Sequence, residues 1–145
     1  MAIRTATAEW KGDLTGGTGE FSGESGYLSG KYSFKSRFPE DTEGGTNPEE
    51  LIAAAQACCY SMQLSAMLAQ GGNTPDSVKT DAKVQILKQD DGFGITRIEL
   101  VTVARVPGID DDGFQQTARA AKEACLITKA LGAIPEIRLD ARLES

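Results

Sequence analysis

The feature that most constrains the fold is the segment at positions 47–68, which reads NPEELIAAAQACCYSMQLSAML. Asn47 suits the N-cap of a helix, Pro48 suits its first turn, and Glu50 stands where a capping box expects a glutamate. Beyond these residues the helix is apolar or small on nearly every side, which predicts burial all round rather than a place on the surface.

The remaining segments predict strands and a second helical region. Three short strand-like segments come first, ATAEW, GEFSGES and GKYSFKSRF, the last of them ending at Phe38. Positions 77–106 predict two long alternating strands around a turn, 107–132 predict a helical region, and 136–144 predict a closing strand. This order of elements indicates a single α+β domain over residues 1–145, with about six strands.

Charge and hydropathy exclude several partners and locations. The formal net charge is −6, which argues against nucleic acid and anionic membrane surfaces, because both require clustered Lys and Arg. The N-terminal stretch MAIRTATAEWKGD lacks the apolar run of a signal peptide, and no segment is expected to span a membrane. We therefore expect a cytoplasmic protein.

The cysteine and histidine counts narrow the chemistry further. The chain has three cysteines without CxxC spacing, so neither a disulfide framework nor a zinc knuckle is predicted. It has no histidine at all, which removes Ser-His-Asp and Cys-His catalysis and the usual catalytic zinc sites. We expect no bound metal. If a cysteine is reactive, a group other than imidazole must stabilise its thiolate.

The cysteines themselves leave alternatives open. Side chains of adjacent helical residues point ~100° apart, so Cys58 and Cys59 do not serve one site together. Cys58 is interpreted as a small packing residue, whereas Cys59 shares a helical sector with small residues that leave room above its sulfur. Cys125 lies in the second helical region, with lysines nearby in sequence. Spacing alone does not show whether Cys59 and Cys125 meet.

Several motifs, in order along nearly the whole chain, resemble one known family. The segment GGTNPEELIAAAQACCYSM closely resembles the signature helix of the OsmC/Ohr family, the osmotically induced protein C and organic hydroperoxide resistance proteins. Other segments are similar to further parts of that family: AEWKGDL, GESGYL, FKSRF, DGFGITRIEL, VPGID and AKEAC. Arg37, in the third strand-like segment, is typical of the OsmC branch.

The resemblance implies a fold, an activity and a set of site residues. The family fold is an intertwined homodimer with about six antiparallel strands per chain, a long buried central helix and a second helical region. The implied activity is that of a thiol peroxidase in oxidative or osmotic stress defence, without metal or cofactor. Cys59 matches the peroxidatic cysteine, Cys125 the resolving cysteine, Arg37 the active-site arginine and Glu49 its partner. Leu126 stands where the family often has proline.

The implied reaction reduces organic hydroperoxides to alcohols. A thiolate at Cys59 attacks the O–O bond, and the resulting sulfenic acid condenses with Cys125 to a disulfide. An external dithiol, lipoyl-type by family likeness, restores both thiols. Arg37 favours the thiolate. Apolar candidates for the walls of a substrate pocket are Phe34, Phe38, Met62 and Phe93.

The helix geometry adds a hypothesis about Glu49. It precedes Cys59 by ten residues, or ~15 Å along a helix axis, so we predict that Glu49 serves the site of a partner subunit. Plainer interpretations stand beside these: Glu49 as a helix-dipole charge and Arg37 as a solvated surface charge. Two other functions also remain open, a binding protein for an apolar ligand and a thiol redox sensor on the same scaffold.

Overall fold

The computed structural model describes residues 1–38 and 44–144. It divides into two compact units, Met1–Leu51 and Ile52–Ser145. The described part of the chain contains six strands and three α-helices, so the predicted α+β class and strand number are confirmed. The assignment of residues 1–145 to a single domain stays a prediction.

The first unit is built on a three-stranded antiparallel meander. Its strands are β1 (Ala6–Lys11), β2 (Thr18–Gly23) and β3 (Ser29–Tyr32). The aromatic ring of Tyr32 packs 5.5 Å from that of Trp10 and also covers Gly19, where a Cβ atom would overlap the ring. Glycine in β2 is therefore required by this close approach.

The predicted third strand is too long. It ends at Tyr32, and residues Lys35–Arg37 form a short 3-10 helix instead of continuing the ladder. Ser33 Oγ accepts the N–H of Ser36 at 3.1 Å, and Ser36 Oγ donates to Ser33 O at 2.8 Å. These local side-chain bonds close a turn that competes with strand pairing.

The long helix α1 covers Pro48–Gln70 and begins as predicted. Asn47 Oδ1 accepts the N–H of Glu50 at 2.8 Å, and Gly72 ends the helix with a φ of +88°. One face is buried within the chain, through Gln56, Tyr60, Leu64 and Leu68. The opposite side carries an exposed row with i, i+4 spacing, formed by Ala54, Cys58, Met62 and Ala66. The prediction of burial all round is therefore wrong for the isolated chain.

The second unit contains the longer sheet. A hairpin pairs β4 (Ser77–Gln89) with β5 (Gly92–Arg105) in antiparallel register, and Gly92, with φ +133°, forms part of the turn. The last strand, β6 (Glu136–Glu144), pairs with β5 in parallel. The expectation of antiparallel strands throughout is wrong for this pair. The chain crosses over between β5 and β6 through two helices, a connection that returns a strand in the same direction.

Those two helices pack on the sheet and complete the core. They are α2 (Asp111–Ala124), whose N-cap Asp110 accepts the N–H of Gly113 at 2.8 Å, and α3 (Leu126–Ala130). The buried cluster joins one face of β5 with residues of α1 and α2. Its members are Tyr60, Leu64, Leu68, Ile98, Leu100, Ala104, Val106, Phe114, Ala118, Ala121 and Cys125.

By length and composition, α1 is also apolar enough to cross a membrane, and it is the one such helix among the residues described. The hydropathy of the sequence had indicated no membrane-spanning segment. Two of its side chains, Gln56 and Tyr60, are fully buried and hydrogen-bonded inside the protein, a feature of core helices.

Candidate active site

The second unit brings two of its thiols together. Cys59 projects from the fourth turn of α1, and Cys125 occupies the junction between α2 and α3, 66 positions away in sequence. Their sulfur atoms lie 3.1 Å apart, and both cysteines are free thiols. Because a disulfide bond is about 2.05 Å long, a movement of roughly 1 Å joins them. The arrangement can alternate between dithiol and disulfide.

The two thiols differ in burial. Cys125 is fully buried in the core, whereas Cys59 is only partly buried at its margin. A small reactant therefore reaches the Cys59 sulfur more readily than that of Cys125. Leu126, which follows Cys125, is exposed.

The surroundings of the sulfurs set their pKa values in opposite directions. Burial raises the pKa of Cys59, the N–H of Ile127 offsets part of this effect, and the adjacent Cys125 sulfur raises the pKa further. Burial also disfavours ionisation of Cys125. Hydrogen bonds outweigh burial there, however, and lower the pKa of Cys125. They come from the backbone N–H and hydroxyl of Thr128, the Cys59 thiol and the N–H of Ile127. Within this unit a shared negative charge is therefore held mainly on Cys125.

A buried amide adjoins the thiol pair. Gln56, one turn before Cys59 on α1, donates from Nε2 to Thr128 Oγ1 at 2.7 Å, and the same nitrogen lies 3.9 Å from Cys125 Sγ. The sequence left open whether Gln56 is a buried hydrogen-bonding residue or part of a pocket lining, and it gave no indication of Thr128. The available signal was a glutamine on the same helical face as Cys59 in an otherwise apolar segment.

A row of hydroxyl groups fixes α1 against the sheet and α2. Tyr60, next to Cys59, donates from its hydroxyl to Ala118 O at 3.1 Å. Ser61 Oγ lies 2.8 Å from Thr80 Oγ1, which in turn lies 2.8 Å from Thr102 Oγ1. These contacts hold the helix in the rotation that turns Cys59 toward Cys125.

Cys58 has a different environment from the one predicted. It is exposed on the row shared with Met62 rather than packed as a small buried residue. A helix turns neighbouring side chains about 100° apart, so the rotation that directs Cys59 to Cys125 directs Cys58 outward.

Arg37 and Glu49 form an ion pair in the first unit. Arg37 Nε lies 3.3 Å from Glu49 Oε2, and the side chains retain 32% and 14% of their exposure. The Arg37 guanidinium also lies 5.7 Å from the centre of the Phe34 ring, within cation–π range. Because the 3-10 helix replaces a strand here, Arg37 does not occupy the solvated strand face that the alternation pattern indicated.

Two hydrogen bonds tie this turn to the start of α1. Asn47 Nδ2 donates to Ser36 O at 2.8 Å, and Ser36 Oγ donates to Thr46 O at 2.6 Å. Ser36 is buried. The N-cap of α1 therefore also positions the residue that precedes Arg37.

The predicted pocket residues are divided between the two units. A cavity of about 240 Å³ in the first unit includes Phe34 and Arg37 among its walls, and the Phe34 ring lies 5.6 Å from that of Phe38. The full lining of the cavity is Trp10, Leu14, Tyr32, Ser33, Phe34, Arg37 and Pro48. Met62 and Phe93 belong to the second unit and are exposed on α1 and at the β4–β5 turn.

Residues 1–38 and 44–144 contain no cluster of three or more His, Cys, Asp or Glu side chains that could hold a metal ion. The chemistry that the site itself offers is thiol redox chemistry.

Comparison with known proteins gives a consistent result. The family model described as OsmC-like protein matches residues 40–140. The chain is 48% identical over 139 residues to the peroxiredoxin OsmC of Escherichia coli strain K12, covering 95% of this chain and 94% of that protein. It is 27% identical over 140 residues to the organic hydroperoxide resistance protein OhrB of Bacillus subtilis, covering 97% and 98%.

Solved structures share the fold. The crystal structure of B. subtilis OhrB superposes with a TM-score of 0.68 at 23% identity, covering 97% of this chain and 98% of that one. An OsmC-like protein from Mycoplasma pneumoniae superposes with a TM-score of 0.78 at 15% identity, covering 99% of each chain. At these identities the likeness establishes the fold alone.

Proposed function

The chain belongs to the OsmC-like protein family, and we propose that it is a thiol peroxidase that reduces organic hydroperoxides to alcohols. Relatives named peroxiredoxin and organic hydroperoxide resistance protein support this class of activity. The observation that carries the proposal is the pair of free thiols 3.1 Å apart, one partly buried and one fully buried.

The first chemical step takes place at Cys59, the thiol nearer the surface. Its thiolate attacks the outer oxygen of the hydroperoxide, an S–O bond forms as the O–O bond breaks, and the leaving alkoxide takes a proton from solvent to become the alcohol. Cys59 is oxidised to a sulfenic acid, and the peroxide gains two electrons. Because Cys125 lies next to it, the proton of the Cys59 thiol has an acceptor within the pair.

The second step closes the disulfide. The Cys125 sulfur attacks the sulfur of the sulfenic acid, the S–O bond breaks, and water leaves with the transferred proton. The lowered pKa of Cys125 suits this step, because a thiolate and not a thiol is the nucleophile. An external dithiol, lipoyl-type by family likeness, then reduces the disulfide through a mixed-disulfide intermediate.

Arg37 supplies the positive charge that the first step requires. Burial alone disfavours a thiolate at Cys59, and a guanidinium favours it and stabilises the leaving oxygen. Glu49 holds the guanidinium at 3.3 Å. Because these two residues are paired in one chain, both must act on the same cysteine, and the helix spacing favours that of a partner subunit. The cavity beside Phe34 and Arg37 would then hold the alkyl group of the substrate.

A homodimer and a cytoplasmic location belong to the same proposal. The exposed row of Ala54, Cys58, Met62 and Ala66 on α1 is an apolar face that a second copy of the chain would cover. The chain has three cysteines without the spacing of a disulfide framework, as expected of a protein in the reducing cytoplasm.

The proposal is tested by intact mass and turnover. One equivalent of tert-butyl hydroperoxide should remove two hydrogen atoms from the wild-type protein as the disulfide forms. Cys125→Ser should stop at a trappable sulfenic acid, Cys59→Ser should not react, and Cys58→Ser should behave as wild type. With a dithiol present, the wild-type protein should consume cumene hydroperoxide catalytically. A single oxidation followed by arrest would overturn the peroxidase assignment in favour of a sensor.

A further inference from the structure

Gln56 is a fully buried polar side chain that the proposed reaction does not use. Its Nε2 donates to Thr128 Oγ1 at 2.7 Å and lies 3.9 Å from Cys125 Sγ. Its Oε1 is buried and accepts no hydrogen bond from the residues that the structure describes. A half-satisfied buried amide costs stability, and an apolar residue of similar size would fit the same helix face. Packing therefore does not account for a glutamine here.

Thr128 connects this amide to the thiol pair. It follows Cys125 by three residues in α3, and its hydroxyl oxygen accepts the amide hydrogen of Gln56. A hydroxyl that accepts in this way still has its own hydrogen to donate, and the donation it receives strengthens the one that it makes. The Thr128 hydroxyl is one of the groups that lower the pKa of Cys125.

We propose that Gln56 and Thr128 are positioning residues that direct the Thr128 hydroxyl at the Cys125 sulfur and hold negative charge there. The chain of contacts runs from Gln56 through Thr128 to Cys125, and from Cys125 to Cys59 at 3.1 Å. This device prepares the buried thiol to attack the sulfenic acid as soon as it forms. The expected effect on the rate of disulfide formation rests on the proposed peroxidase function. The expected effect on the charge of the Cys125 sulfur does not.

Other titratable side chains on α1, α2 and α3 could also affect the charge on Cys125. From α1, Cys59 and Tyr60 both interact electrostatically with Cys125. From α2, Lys122 donates to Ile137 O at 3.1 Å, and in α3 Lys129 is exposed. In a background that lacks Cys59, a titration therefore measures the pKa of Cys125. Tyr60 is then its one remaining buried titratable neighbour among the residues described.

The first test measures the charge on Cys125 without any peroxide. The background is Cys58→Ser with Cys59→Ser, in which Cys125 is the sole thiol, and the thiolate is followed by ultraviolet absorbance against pH. The signal of the same chain with Cys125→Ser is subtracted to remove tyrosine. We expect Thr128→Val to raise the Cys125 pKa by about one unit. Gln56→Met should raise the Cys125 pKa by a smaller amount, and Thr128→Ser should leave it at the value of the background chain.

Matched controls separate this role from packing. Thr117→Val removes a helical threonine hydroxyl that binds Gly113 O at 2.9 Å in its own helix, and Gln63→Met removes a glutamine two turns further along α1. Neither should move the Cys125 pKa. An unchanged pKa in Thr128→Val, with native circular dichroism, would overturn the proposal. If Thr128→Val does not fold, the same titration of Gln56→Met decides the question.

The second test measures the resolving step in chains that keep all three cysteines. Below the Cys125 pKa, a rise of one unit lowers its thiolate fraction about tenfold, while its intrinsic nucleophilicity rises. The two effects together should slow disulfide formation about threefold in Thr128→Val. Mass spectrometry should then find more sulfinic acid at Cys59 after excess hydroperoxide. A raised Cys125 pKa with no oxidation at Cys59 would count against the peroxidase function and leave the positioning role intact.

Discussion

At the scale of single residues, the three cysteines differ in what surrounds each sulfur. Cys58 faces outward, Cys59 lies at the margin of the core, and Cys125 lies inside it. In a chain without histidine, charge at the pair depends on hydrogen-bond donors and on a guanidinium. Donors from Thr128 and Ile127 favour the anion on Cys125, so the oxidation of Cys59 should depend strongly on Arg37.

Replacing Arg37 should therefore slow the first chemical step. We expect Arg37→Met to lower the rate of Cys59 oxidation by organic hydroperoxide about 10²-fold, because the charge that favours the thiolate and the leaving oxygen is lost. Stopped-flow measurement of sulfenic acid formation in a Cys125→Ser background isolates this step.

Arg4 offers a matched control in the same unit. It forms an ion pair with Glu24 at 3.4 Å, and its side chain is 86% exposed. Arg4→Met should leave the oxidation rate unchanged. Equal effects of the two substitutions would show that the rate responds to net charge and not to the position of Arg37.

Tyr60 gives a prediction about alkaline stability. Burial raises its pKa well above the ordinary value of 10.0. Above about pH 10 this tyrosine loses its proton in the unfolded chain but keeps it in the folded chain. The free energy of unfolding therefore falls by about 1.4 kcal/mol for each further pH unit. Tyr60→Phe should cost about 1 kcal/mol near neutral pH, through the lost bond to Ala118 O. Its stability should then approach that of the wild type at about pH 11.

Urea unfolding at both pH values measures this effect. Tyr27→Phe is the control, because Tyr27 is fully exposed. A Tyr60→Phe chain that remains less stable than wild type by the same amount at high pH would contradict the burial argument.

At the scale of elements, the fold was predictable wherever a local pattern decided it. The caps of α1 and α2, the turn before β5 and the alternation in β4 and β5 depend on residues close in sequence. The strand predicted to reach Phe38 failed because two serine hydroxyls close a 3-10 turn after Tyr32. A period of two in the sequence does not reveal that competition.

The direction of β6 and the composition of the site depended on contacts distant in sequence. The alternation in β6 indicates a strand but not its neighbour, and the two-helix crossover from β5 makes it parallel. The 3.1 Å contact between Cys59 and Cys125 joins α1 to the α2–α3 junction. Spacing alone left that contact open, and it was implied by family resemblance. Gln56 and Thr128 escaped prediction because 72 positions separate them.

The start of α1 combines two functions that substitutions can separate. Asn47 caps the helix through Oδ1 and holds Ser36 O through Nδ2. Asn47→Asp keeps the acceptor and loses the donor, so we expect nearly wild-type stability with kcat/KM reduced about tenfold, because Arg37 is less well placed. Asn47→Ala loses both contacts and should also cost about 1 kcal/mol of stability.

Urea unfolding and peroxidase kinetics on the same preparations give both quantities. Wild-type kinetics in Asn47→Asp would mean that the bond to Ser36 supports the fold and does not position Arg37.

At the scale of the whole molecule, the exposed side of α1 connects the fold to the site. The sequence pattern indicated burial on every side, and the chain by itself buries one face. The residues left exposed, with Met62 at 74% exposure, lie on the helix that carries Cys59. A second copy that covers this face would bring another Arg37–Glu49 pair to the dimer. The oligomeric state of the protein and the completion of its active site are therefore tested by the same experiment.

Mixed dimers answer it directly. Cys59→Ser and Glu49→Gln chains with different tags are co-expressed, and the dimers that carry both tags are purified. If Glu49 acts on the partner's cysteine, such a dimer combines an intact Cys59 with an intact Arg37–Glu49 pair in one of its two sites. We expect about half the wild-type turnover from a population of mixed dimers, while both parent homodimers stay nearly inactive. If each chain completes its own site, both sites of the mixed dimer lack one group, and its turnover should stay at the parental level. Light scattering on the same sample establishes that the species assayed is a dimer.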